Sequence, residues 1–437
     1  MSQPKGETNG CPKYDWSQIV LLNEIIGRGG SCRVELGRIR SNSHLKHEHS
    51  RCDDNSSPAS HAVADGNSIV QPINHDLRRR MMQSNESGQT QLIDLSEYVA
   101  LKIVEQQVDT PSSPVAASPS PNLSSTVDYA TAARRLLIEQ DILKQLSHPG
   151  VPKLLGTIIT SSQFVSILPF YPYGSLAHHL RHHARRLMPI QNVRQYMSEL
   201  IYILSHLHSN GIIHRDISAK NILVDRNGHL VLADFGMAKR IHISHRSREA
   251  DKSDAPSDST HSSSVYVPFP ILSDCTGADP TPSDEGTVHY LAPERLTCIG
   301  DGPAADWWAI GVILHEMLYG SLPFDGGAID DVRRSITTYN NEPSDRPYPP
   351  RHTMNSDALD LLSLLMEVDP NKRLANVGLN GTRIKQHEFF PSPRDNSNPS
   401  SSFASSPQWD QLTPTEFVKH IGPIDVEELI NRSETHC

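Results

Sequence analysis

His214–Asn221 reads HRDISAKN, and its polar residues set how the rest of the chain is read. Asp216 can accept the proton of an attacking hydroxyl. Asn221, five residues on, offers a carbonyl oxygen to a hard divalent cation. Lys220 adds a positive charge beside it, and Ser218 stands two residues after Asp216. A strand-like run, HLVLA, leads into DFG at Asp234–Gly236. Asp234 brings a carboxylate, a second oxygen ligand suited to such a cation.

Upstream, GRGGSC (Gly27–Cys32) falls inside residues 17–40, which alternate apolar and polar like a strand pair around a turn. Glycine lets the backbone approach a polyphosphate and point N–H groups at it. VALK ends at Lys102 on a strand, YVALKIVEQ. A strand-borne lysine reaches between phosphates as a compact cation. Glu139 belongs to a helix predicted over about 129–147, where Leu136, Leu137, Ile142, Leu143 and Leu146 share a broad face. Paired with Lys102, Glu139 would hold that cation in place. Downstream come GTVHYLAPE (Gly286–Glu294) and DWWAIG from Asp306. Taken singly, each of these reads equally well as an ordinary turn or surface charge.

In this order the set is the signature of the eukaryotic protein kinase family, which the sequence resembles from about Trp16 to Phe390 apart from three insertions. DWWAIGVILHEMLYGSLPF and NKRLANVGLNGTRIKQHEFF resemble the AGC group, which includes protein kinase A and the phosphoinositide-dependent kinase. The resemblance implies an α+β, bilobal fold with a small antiparallel β lobe and a larger, mainly helical lobe. It implies an ATP-dependent protein serine/threonine kinase in intracellular signalling, with ATP and Mg2+ as cofactors. Asp216 is then the catalytic base, Lys102 and Glu139 the ion pair of the active state, and Asn221 and Asp234 the metal ligands. Gly27, Gly29, Gly30, Val34, Ala100, Lys102, Leu168, Tyr171 and Leu223 are the nucleotide contacts. Leu168 holds the gatekeeper position, and Pro169, Phe170 and Tyr171 the hinge. Proline has no N–H, so Tyr171 is expected to offer its amide to adenine. Val34, Ala100, Leu223 and Leu176 form one apolar column, and Leu143, Leu154, His214 and Phe235 a second. Glu294 pairs with Arg373.

The chain departs from the pattern in places. Cys32 stands where the third glycine usually lies, and reads either as a tolerated small residue or as a reactive thiol. Ser218 replaces the lysine that normally touches the transferred phosphate. SAKN resembles the AARN arrangement of tyrosine kinases, and Lys220 restores the missing charge. Thr287 and its short spacing to Ala-Pro-Glu follow the serine/threonine pattern. A pseudokinase-like ATP-binding scaffold and a dual-specificity kinase remain as alternatives. With Lys220 and Ser175 where AGC kinases carry acids, weak selection for an arginine upstream of the target is expected. Ser283 sits where the activation phosphate lies in the AGC group, with Arg135, Arg215 and Lys239 placed to grip it. No Phe-x-x-Phe motif and no pleckstrin-homology-like segment are seen in the tail.

The remaining text bounds the class. The chain has 437 residues and a net charge of -10, which argues against a chain built mainly to hold nucleic acid or an anionic surface. Arg78–Arg80 reads as a solvated loop or a docking patch. The 6 cysteines, at positions 11, 32, 52, 275, 298 and 437, show no zinc or disulfide spacing. An intracellular, cytoplasmic location with the nucleus also open, no leader, no membrane span and no prenylation box are expected. His178, His179, His182 and His183 read as a solvated helix face. The expected layout is a disordered 1–16, a kinase domain over 17–390 with low-complexity insertions at about 41–95, 108–127 and 243–285, and a tail from 391 to 437. Partners are protein substrates and an upstream activating kinase, with no nucleic acid.

Overall fold

The computed structural model describes residues 12–28, 32–40, 82–84, 90–92, 98–106, 123–183, 188–241, 288–300, 302–340, 355–378 and 381–390. Its first part is built on β1 (Ile19–Arg28) and β2 (Arg33–Ile39). Two short strands follow, β3 (Met82–Ser84) and β4 (Thr90–Leu92), which pair with each other. β5 (Tyr98–Glu105), β6 (Gly156–Ile159) and β7 (Gln163–Pro169) complete an antiparallel sheet in the order β1-β2-β5-β7-β6. The long stretch between β2 and β5 does not prevent their pairing, because loop-closure entropy grows slowly with length. Val34 lies opposite Lys102, and Leu36 opposite Ala100.

The period-two pattern of β5 divides its side chains. Val99, Leu101 and Ile103 join Ile19, Ile158, Val165 and Ile167 in one buried cluster. Lys102 and Val104 share the other face, and Val104 packs on Ala133 and Leu136 of helix α1 (Leu123–Leu143). This helix begins inside the stretch read as a low-complexity insertion and ends before residue 147. The chain leaves the helix in a turn in which Gln145 N–H donates to Ile142 carbonyl at 3.0 Å. β3 and β4 likewise fall inside a stretch read as lacking order. A third correction concerns the N-terminal segment. Thr157 N–H donates to Pro12 carbonyl at 3.2 Å, and Tyr14 N–H donates to Thr157 carbonyl at 3.1 Å. Pro12–Tyr14 thus covers the open edge at β6, satisfying groups an exposed edge leaves free. The expectations for 243–285 and 391–437 lie outside the described residues.

The second part is helical: α2 (Leu176–His183), α3 (Ile190–Ser209), α4 (Pro293–Leu296), α5 (Pro303–Tyr319), α6 (Ile329–Thr338), α7 (Ser356–Leu365) and α8 (Pro370–Val377). α5 is apolar nearly all round and buried, as a central helix must be, with Trp307 and Trp308 fully covered. Gly311 permits its approach to α7, since a Cβ there would lie 2.9 Å from Met366 and 3.0 Å from Leu365. Asn355 and Asp369 cap α7 and α8 by accepting from backbone N–H groups of the first turn. Gly320 ends α5 at φ 69, the left-handed conformation glycine tolerates. Between α3 and α4 lie β8 (Ile212–Ile213), β9 (Ile222–Val224), β10 (Leu230–Leu232) and β11 (Lys239–Arg240). They pair as β9 with β10 and β8 with β11. HRDISAKN lies between β8 and β9, and DFG between β10 and β11. No helix among the described residues is long and apolar enough to cross a membrane.

Candidate active site

Lys102 projects from β5 into a cleft that Glu139 and Asp234 also line. Its Nζ lies 2.9 Å from Glu139 Oε2 and 2.9 Å from Asp234 Oδ1. Burial opposes its charge, but the two carboxylates hold the ammonium well above the ordinary lysine range. Burial pushes Glu139 up against the pull of Lys102. Burial also opposes ionisation of Asp234, yet Lys102 holds it below the usual carboxylate range. The same constellation places DFG. Phe235 N–H donates to Glu139 Oε1 at 3.3 Å, and Asp234 takes φ 61 while accepting from Gly236 N–H.

HRDISAKN faces this group from below. Asn221 Nδ2 donates to Asp216 Oδ2 at 2.9 Å and to Asp216 carbonyl at 2.8 Å. Burial, then the charge of Asp234, raises Asp216 above an ordinary aspartate. Asn221 Oδ1 is buried and accepts no hydrogen bond among the described residues. An orphaned buried oxygen is costly unless something else satisfies it. Beside the Asp234 carboxylate, it fits an oxygen-seeking divalent cation.

The expected apolar contacts converge on the cleft. Val34, Ala100, Leu168, Tyr171 and Leu223 line it, and so do Lys220, Asn221 and Asp234. Gly27 lies opposite Val34 in the hairpin. Gly29, Gly30 and Ser283 lie outside the described residues. Leu143, Leu154 and Phe235 share the main core, and the rings of His214 and Phe235 meet edge-on at 4.8 Å. Arg215 Nη1 donates to Met237 carbonyl at 3.4 Å, Lys239 pairs with Ile213 across β11 and β8, and a Cβ at Gly236 would lie 3.2 Å from Arg135 Cβ. Ser218 is fully buried, with no hydrogen-bond partner for its hydroxyl among the described residues. His179 departs from a solvated face: it is buried, and its Nε2 lies 2.9 Å from Tyr173 carbonyl.

Some residues that build the site had no role in the sequence reading. Asp306, at the start of α5, accepts from His214 N–H and Arg215 N–H, both at 2.9 Å, and lies 3.0 Å from His208 Nε2. It thereby holds the loop at Arg215, where φ is 70. Arg295 donates to Arg215 carbonyl, and its charge favours the ionised form of Asp216. Ile26 and Pro152 complete the cleft wall. The legible signal for Asp306 was an acidic residue opening an otherwise apolar helix, since a buried carboxylate must find donors.

Residues 93–390 match the family described as protein kinase domain. The serine/threonine-protein kinase WAG1 of Arabidopsis thaliana is 33% identical over 264 residues, 58% of this chain and 54% of that protein. Phototropin-2 of Oryza sativa subsp. japonica is 33% identical over 261 residues, 59% of this chain and 27% of that protein. A RAC family serine/threonine-protein kinase homolog of Dictyostelium discoideum is 32% identical over 299 residues, 68% of this chain and 53% of that protein. The matched part of the chain thus corresponds to about a quarter to a half of each relative's length.

Proposed function

The chain belongs to the protein kinase family, and from that premise we propose that it is an ATP-dependent serine/threonine kinase of AGC type acting in intracellular signalling. The observation that carries the proposal is the joined pair of clusters, Lys102–Glu139–Asp234 and Asp216–Asn221. The acceptor hydroxyl oxygen bonds to the terminal phosphorus of ATP as the bond to ADP breaks. Asp216 takes the hydroxyl proton. Lys102 and Lys220 offset negative charge on the phosphates, and the apolar cleft wall holds the base. Asn221 and Asp234 are the residues that would hold Mg2+, which when bound offsets phosphate charge.

Ser218 bears on the acceptor class. Its side chain is buried, whereas Lys220 lines the cleft beside Asn221. The charge absent at Ser218 is thus supplied from the same loop, which supports a working catalyst. We assign protein substrates, an upstream kinase acting on Ser283 and a cytoplasmic or nuclear location to the same reading. Transfer from labelled Mg-ATP to a mixed protein substrate, followed by separation of the phospho-amino acids, tests it. Phosphoserine and phosphothreonine are expected; phosphotyrosine as the main product would overturn the acceptor class.

A further inference from the structure

Glu139 and Gln140 are consecutive on α1, and they meet two strand residues that face one another. Lys102 on β5 is the direct partner of Ser166 on β7, so both side chains leave the same face of the sheet. Glu139 grips Lys102 at 2.9 Å. Gln140 Nε2 donates to Ser166 Oγ at 3.0 Å and to Val165 carbonyl at 3.3 Å. Glu139, Gln140 and Ser166 are 1%, 2% and 0% exposed. The four residues close a ring of one peptide link, one strand pairing, one ion pair and one hydrogen bond.

We propose that Gln140 is a positioning residue that fixes the rotation and height of α1, so that Glu139 meets Lys102. The value of that placement to catalysis rests on the reading of the cleft as a phosphoryl-transfer site. The ion pair and the Phe235 N–H donor hold the carboxylate tip of Glu139, but its flexible side chain leaves the helix backbone behind it room to turn. A buried amide must satisfy its donors, and the only directions that do so here fix the helix against β7. Apolar packing of Ala133 and Leu136 on Val104 resists separation but sets no register with hydrogen-bond precision. Released from Ser166, α1 can turn, and Lys102 keeps Asp234 alone as its partner.

The test reads the Lys102–Glu139 pair without using catalysis. The full chain is labelled with acetic anhydride, and acylation of Lys102 is followed by mass spectrometry. Gln140→Met keeps the length and removes the donors; it is expected to raise the Lys102 labelling rate about fivefold, the factor one net hydrogen bond represents. Ser166→Ala is expected to raise it less, and Ser166→Thr, which keeps the hydroxyl, to leave it unchanged. In a Glu139→Gln background Gln140→Met should add nothing further, because it acts through Glu139. No rise in Gln140→Met, or an equal rise in both backgrounds, overturns the proposal. If Gln140→Met does not fold, Ser166→Ala against Ser166→Thr decides it alone. Phosphate transfer by the unmodified protein is measured on the same preparation. Its absence alongside the expected labelling pattern would reject the kinase reading and leave the positioning role standing.

Discussion

The guanidinium of Arg373 is buried against the carboxylate of Glu294, with Nη1 at 2.8 Å from Oε1 and Nη2 at 3.2 Å from Oε2. Arg373 also donates to the carbonyls of Ala304, Glu367 and Val368 and lies 5.0 Å over the Trp308 ring. One side chain thereby ties α4, α5 and α8. Arg373→Met leaves Glu294 as an uncompensated buried charge. A loss of about 3–5 kcal/mol is expected, read as a lowered denaturant midpoint. A midpoint within experimental error of the parent would contradict the bracing role.

Asp306 organises the loop from beneath rather than touching the reaction. Asp306→Asn replaces one acceptor oxygen with a donor that faces backbone N–H groups. The loop then shifts at Arg215, and kcat should fall about a hundredfold, while KM for ATP moves far less. An equal rise in KM would mean that Asp306 acts on nucleotide binding instead.

Asp216 must be ionised to take a proton, and burial beside Asp234 raises it. The sign follows: kcat/KM falls as pH drops, and the fall sits above the ordinary aspartate value of about 3.9. A pH–rate profile on the acid side measures it. A limb at or below about 3.9 would contradict the assigned environment.

His148 gives a separate pH dependence, of stability rather than rate. Burial, with the neighbouring His206, pushes its ring down to about 3, and its Nδ1 accepts from Gly150 N–H at 3.0 Å. The unfolded chain takes a proton near the ordinary value of about 6.5, which the folded ring refuses. This contribution is therefore fully present above the unfolded value and is lost progressively as pH falls toward about 3. His148→Asn keeps an acceptor and should flatten the slope of unfolding free energy against pH in that window. Identical slopes in parent and variant would place the titration elsewhere.

The reactive residues were legible because their motifs are short and local. HRDISAKN and DFG each place their groups within one loop, so sequence spacing carries the chemistry. The Lys102–Glu139 contact spans separate elements and was reached through resemblance to a family. The supports were harder to read. Nothing in TVDYATAARRLLIEQ tells a buried Gln140 from a surface one, since its partners lie 25 and 26 residues away on β7. The start of α1 at Leu123 lies in Pro/Ser-rich text, where composition argued for a mobile linker. Pro12–Tyr14 has no periodicity of its own, and its pairing depends on an open edge at Thr157 that only the assembled sheet presents.

The most direct measurement is the single-turnover rate of phosphate transfer from Mg-ATP to a serine-containing peptide, for the parent chain and for Asp216→Asn. Removing a general base placed as Asp216 is should slow transfer by about 10²–10⁴-fold, with folding unchanged by circular dichroism. Equal rates in the two proteins, or no transfer by a folded parent chain, would contradict the assignment of this cleft to phosphoryl transfer.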